Sequence, residues 1–174
     1  MTLEQTILAK RAELHAHPIH QQMVNGQISK EMYLRYLREI KFIHDYIDHK
    51  AEQKDFMDIN REISLHVDIL ELVNDLYPLE VITSNIGEDY AIMNMFQPLD
   101  KAKAHGYVHY REYLETSDML KGVVPGKGRI YTFQDKVACL QYLENNKPGD
   151  EWIDECIKAY DIRINILKEL EKVL

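Results

Sequence analysis

Apolar residues recur along this chain at spacings of three and four, and no stretch shows the two-residue alternation of a half-buried strand. Glycine and proline are few and stand where these runs stop, so the pattern predicts helices from end to end. The first helix runs from Leu3 to Val24 and ends at Gly26. Pro18 interrupts it: proline lacks the backbone N–H and clashes with the carbonyl of Leu14, so this helix is either kinked near His17 or built as two short ones. The next helix starts after Ser29, a good N-cap, with Ile28 and Tyr33 placed as a hydrophobic staple, and continues to Gln53. A third spans Ile59 to Leu76, before Pro78, and a broken helical stretch covers Ser84 to Phe96. Asp100 is read as the cap of a helix from Lys101 to Leu120, which Gly122 ends. After the loop Val123–Gly128, Thr132 with Asp135 reads as a capping box for a sixth helix. Asp150 is read as the cap of the last helix, whose apolar face carries Ile153, Cys156, Ile157, Tyr160, Ile164 and Leu167. The fold class expected is all-α, a multi-helix bundle with its site between facing helices.

Composition narrows the function more than the fold. With 174 residues, the default is one domain, residues 1–174, large enough to bury a core without metals or disulfides. A net charge of -8 and a pI near 5.5 argue against nucleic acid and against an anionic membrane surface as partners. Cys139 and Cys156 are too few for a disulfide framework and fit no metal knuckle, so both are expected buried and reduced. No leader-like segment opens the sequence and no apolar run approaches the roughly 20 residues of a membrane span, so a cytoplasmic protein is expected.

Three clusters could carry chemistry, because histidine is the side chain best suited to hold a metal or move a proton near neutral pH. The first is His15, His17 and His20. In an unbroken helix His17 and His20 share a face and His15 does not, and any one of the three could serve as the axial ligand of a haem iron; as half-exposed residues beside a kink they would be inert. The second, His44, Asp45, Asp48 and His49, reads better as a solvated face than as a metal site. The third, His105, His109 and Glu112, lies on one stripe and offers the two-histidine, one-carboxylate set of many non-haem iron sites; its alternative is an exposed polar stripe, with Tyr107, Tyr110, Tyr113 and Leu114 as core. Gly126-Lys127-Gly128 lacks the spacing of a phosphate loop.

The order of these elements resembles the haem oxygenase superfamily, which also holds thiaminase-type and quinone-cofactor synthase branches. Three segments carry the resemblance: Glu13-Leu14-His15 with Met23-Val24-Asn25-Gly26-Gln27-Ile28 and the helix down to Ile47-Asp48; Ala104-His105-Gly106-Tyr107-Val108-His109-Tyr110; and Phe133 to Leu174, with Ala159-Tyr160 and Leu170-Glu171. The resemblance implies an oxidoreductase that cleaves haem to biliverdin, carbon monoxide and iron. Haem would lie between the first helix and the helix at 101–120, with His15 as axial ligand and His17 as fallback. Tyr107 and His109 would be near the pocket and Lys136 would meet a propionate. Electrons would come from a separate reductase or ferredoxin.

Departures from the family pattern keep two other readings open. Where the family has a glycine-rich stretch against the haem face, this chain has Arg111-Glu112-Tyr113-Leu114-Glu115-Thr116-Ser117, so Glu112 and Thr116 project side chains there. His17-Pro18-Ile19 followed by Gly26 resembles the thiaminase-type branch instead. In the two-metal branch, Asp161 would need histidines where Ile157 and Ile164 stand. The alternatives are a haem-free member acting on a small organic substrate, thiaminase-like or metal-dependent, and a non-catalytic binding protein.

Overall fold

The computed structural model describes residues 1–50 and 58–173, apart from the side chains of His49 and Lys50. Among the described residues there are eight α-helices and no strand: α1 (Leu3–Ala16), α2 (Pro18–Val24), α3 (Lys30–Lys50), α4 (Glu62–Leu76), α5 (Ile86–Asn94), α6 (Leu99–Leu120), α7 (Lys136–Asn145) and α8 (Ile153–Glu171). The expectation that the second helix reaches Gln53 falls partly outside the described residues.

Proline chemistry settles the first helix. It divides into α1 and α2, and His17 serves both ends: its N–H donates to Leu14 O at 3.2 Å, and its Nδ1 accepts from Ile19 N–H at 3.2 Å. Pro18 occupies the first position of α2, where no N–H is needed. Ser29 receives Met32 N–H at 3.1 Å, as expected of a cap. Three other expected caps differ. Asp100 lies inside the first turn of α6, which begins after Pro98 without a side-chain cap. Asp135 itself caps α7 by accepting Ala138 N–H at 2.9 Å, while the Thr132 hydroxyl donates to Gly128 O. Asp150 opens a short 3-10 turn and receives Leu3 N–H at 2.9 Å, which ties the start of the chain to the start of the last helical segment.

Helices α3, α6 and α8 pack against one another and form the centre; α4 and α5 lie on α3, α1 on α8, and α7 on α6. Helix α6 has neighbours around most of its circumference, which is why its polar stripe cannot face water. His105, His109 and Glu112 are all buried, so the exposed-stripe reading is corrected. The same applies to α3, where His44 and Asp48 are buried rather than solvated. His44 Nδ1 meets Asp48 Oδ2 at 3.2 Å and its Nε2 meets Tyr113 Oη at 2.7 Å, while the Tyr110 hydroxyl donates to Asp48. Tyr107, Tyr110, Tyr113 and Leu114 are core as expected, and both cysteines are buried and free. No helix among the described residues is long and apolar enough to cross a membrane.

One close approach sets the angle of α5. Gly87 N–H donates to Glu39 Oε2 at 2.8 Å, and a Cβ at Gly87 would run into the Glu39 carbonyl and lie 2.9 Å from Oε2. Gly87→Ala is expected to destabilise the protein by about 2 kcal/mol through overpacking, read as a lower urea midpoint; an unchanged midpoint would show that α5 can shift outward freely.

Candidate functional site

The break at Pro18 brings together two histidines that an unbroken helix would separate. His15 stands in the last turn of α1 and His20 in the first turn of α2, and their rings stack with centroids 4.3 Å apart and planes 8° apart. The pair that meets is therefore His15 with His20, not His17 with His20. His15 Nε2 reaches across to Glu112 Oε1 on α6 at 2.5 Å. Glu112 is 3% exposed; its Oε2 lies 3.7 Å from Arg11 Nε and has no hydrogen-bond partner. Behind this pair a cavity of only about 10 Å³ is lined by His20, Tyr36, Glu112, Tyr113, Thr116 and Arg163, among others.

Burial sets the charges. Desolvation pulls the His20 imidazole down to about 4, with the neighbouring His15 adding to the effect, so His20 is neutral at pH 7. Its Nε2 is buried with no partner. Burial alone would raise the Glu112 carboxyl; the hydrogen bond and charge of His15, with Arg163 and Arg11, outweigh it and hold Glu112 below the ordinary carboxylate range. Glu112 is thus an anion at neutral pH. His15, about one-fifth exposed at its side chain, links it to solvent.

The remaining histidines of α6 face a different way. Arg163 Nε donates to His109 Nδ1 at 2.9 Å, so the ring proton of His109 is on Nε2, 3.4 Å from the Tyr90 hydroxyl. Tyr90 donates in turn to His105 Nδ1, and His105 Nε2–H donates to Glu155 Oε2 at 2.9 Å. Glu155 also takes Lys158 at 2.7 Å. The chain of donors runs one way, from the buried guanidinium to a carboxylate at the edge of the bundle. It requires both imidazoles to be neutral, and desolvation lowers both, His109 well below its ordinary value.

His105, His109 and Glu112 therefore share a helix but not a site. Among the described residues no group of three or more histidine, cysteine, aspartate or glutamate side chains is placed to hold a metal ion. Lys136 pairs with Asp118 at 3.0 Å on the outside of the bundle. Tyr107 accepts from Arg111 at 3.2 Å toward Glu4, and His17 Nε2 approaches Glu171 at 3.5 Å. None of these three lines the central cavity. Sequence reasoning missed Arg163, although the signal was there: an arginine follows Tyr160 by three and precedes Leu167 by four, in the middle of the apolar stripe of α8.

The sequence resemblance would put a haem between α1 and α6, on His15. Its Nε2 already holds Glu112, and the free volume, about 10 Å³, is far below the roughly 300–1,000 Å³ of pockets that take cofactors. The residues as arranged do not fit haem.

These features define an all-α bundle in which a half-buried histidine on α1 meets a buried carboxylate on α6. No family model matches the chain, and no curated protein is similar to it in sequence. Solved structures are similar in fold. Haem oxygenase-1 from the cyanobacterium Synechocystis, in complex with haem, superposes with a TM-score of 0.80 at 19% identity, covering 98% of this chain and 90% of that one. Haem oxygenase from Leptospira interrogans gives 0.80 at 18% identity, covering 97% of this chain and 100% of that one. The chain has the haem oxygenase-like fold.

Proposed function

We propose that this protein is a haem-free member of the haem oxygenase-like fold, whose central site takes a small polar organic molecule and handles protons through Glu112 and His15. The observation that carries this reading is the 2.5 Å contact of His15 Nε2 with Glu112 Oε1, which occupies the histidine that the resemblance assigns to haem iron. The chemistry on offer is acid–base. Glu112 can accept a proton inside the site, His15 can exchange it with solvent, and His20 presents an uncharged ring nitrogen to the same space. The cavity has room for about one water, so a larger ligand requires the helices around it to move apart.

The second reading, oxidative cleavage of haem to biliverdin, carbon monoxide and iron, is favoured by one feature: His15 faces α6 from the end of α1, where the sequence resemblance expects an axial ligand. It needs Glu112 displaced, the two helices separated and an electron donor, a reductase or ferredoxin. Incubation of the protein with hemin, ferredoxin and ferredoxin reductase distinguishes the two. No biliverdin absorbance above a protein-free control is expected; turnover that depends on His15 would establish the second reading instead.

A further inference from the structure

Helix α4 is apolar on two opposite sides. Leu65, Asp68, Ile69 and Leu72 are buried against the bundle. On the other side Ile63, His66, Val67, Leu70, Val73, Asn74 and the C-cap Tyr77 follow at three-and-four spacing, and none of them is a carboxylate, a lysine or an arginine. Four of these are apolar and open to solvent: Ile63 is 70% exposed, Val67 36%, Leu70 48% and Tyr77 83%. A helix that is apolar all round belongs in an interior, and among the described residues this outer stripe has no such cover. Its two ends differ. Ile63 stands at the lip of a cavity of about 530 Å³ that Arg61, Arg129, Thr132 and Phe133 also line. The Arg61 guanidinium carbon lies 4.0 Å from the centre of the Phe133 ring there. Tyr77, at the far end, holds an exposed ring.

We propose that the outer face of α4 is the interface of a two-fold homodimer, packed antiparallel against α4 of a second copy with Leu70 on the axis. In that register Leu70 meets Leu70, Val67 meets Val73, His66 meets Asn74 and Ile63 meets Tyr77. Apolar positions face apolar ones, and the two polar positions face each other. Ile63 and Tyr77 are about 21 Å apart along the helix, so only an antiparallel partner brings the Tyr77 ring to the cavity beside Ile63. The rim also fits a second copy. Next to Leu70, Arg129 donates to Glu71 and Asp68. The axis lays this ion pair against its own copy in reverse order. Each guanidinium then meets Glu71 of the other chain, which lets two chains of net charge -8 approach. A strongly acidic or basic partner would find no counter-charge along the stripe. One helix face with two inserted rings falls at the low end of specific interfaces, so the dimer is expected to dissociate at on the order of 10 µM.

Sedimentation velocity of the full chain, over a concentration series that reaches well above that value, tests this. A reversible monomer–dimer equilibrium is expected for wild type. Leu70→Glu, which sets two carboxylates against each other on the axis, should abolish it. Tyr77→Ala, which empties the cavity beside Ile63 of its ring, should weaken it by about tenfold or more. Both side chains are open to solvent, so the far-ultraviolet circular dichroism of each variant should match wild type. Oxidative cross-linking tests the register. Leu70→Cys should give a disulfide-linked dimer, and Ile63→Cys should cross-link to Tyr77→Cys on mixing but not to itself. Ile63→Cys joined to itself would mean parallel pairing and overturn the proposal. So would a Leu70→Glu dimer as tight as wild type. A wild type that stays monomeric throughout the series would leave the stripe to a different protein and overturn the assignment of a second copy. Should Leu70→Glu fail to fold, Tyr77→Ala and the cross-links decide.

Discussion

Glu112→Ala is expected to lose about 3 kcal/mol of folding stability at pH 7, because it truncates a buried side chain and takes the counter-charge from His15, Arg11 and the buried Arg163. The carboxylate is the acceptor for His15 and lies 3.7 Å from Arg11, whose Nε has no other partner. The alanine would also leave a void under two stacked imidazoles. Glu112→Gln keeps the volume and one acceptor oxygen, so its cost should be nearer to about 1 kcal/mol. Urea unfolding of the three proteins at pH 7 gives both numbers. A loss below about 0.5 kcal/mol for alanine, the level of an ordinary surface change, would mean that the His15–Glu112 contact does not organise the site.

The second large effect is on pH dependence. In the folded protein burial pushes the His20 imidazole down to about 4, from an ordinary value of 6.5. Between those values the unfolded chain binds the proton and the folded one does not, so stability falls as pH falls. From that shift, His20 alone contributes about 3 kcal/mol to the loss. His105 and His109, lowered by desolvation, act in the same direction. Below about 4.5 the carboxylates join. Burial would raise Glu155, but hydrogen bonds from Lys158 and His105 bring it to about 2, and Glu112 is lowered too; each contributes stability that is lost as pH falls through its folded value. Asp68, raised by burial, opposes them. Stability measured by urea titration should therefore fall continuously from pH 6.5 toward pH 4. His20→Gln should flatten the upper part of that fall. Maximum stability at pH 5 would contradict the neutral, buried state assigned to these histidines.

The helices were legible in the sequence because three-and-four spacing and a few breakers specify them locally. Caps were less so: Asp100 lies inside the first turn of α6, Asp135 rather than Thr132 caps α7, and Asp150 serves Leu3, far away in the chain. The site was half legible. His15, Glu112 and the Pro18 break were visible, and the bulk of Glu112 against a haem face could be read from its place in the α6 run. That His20 rather than His17 joins His15 depends on how α2 turns off α1, a tertiary matter. The polar stripe of α6 looked like a metal set or a wet face because spacing along one helix does not show what surrounds it. In the fold its histidines turn toward α5 and α8 and its glutamate toward α1. Arg163 was hidden for the same reason: its partners His109, Tyr36 and Tyr113 come from other helices.

The most direct measurement of the central claim is a hemin titration of the purified protein, followed in the Soret region, with His15→Ala in parallel. If Glu112 holds the place of a porphyrin on His15, wild type shows no saturable Soret band at stoichiometric hemin and is indistinguishable from His15→Ala. A sharp band that saturates at one equivalent in wild type and is lost in His15→Ala would contradict the account.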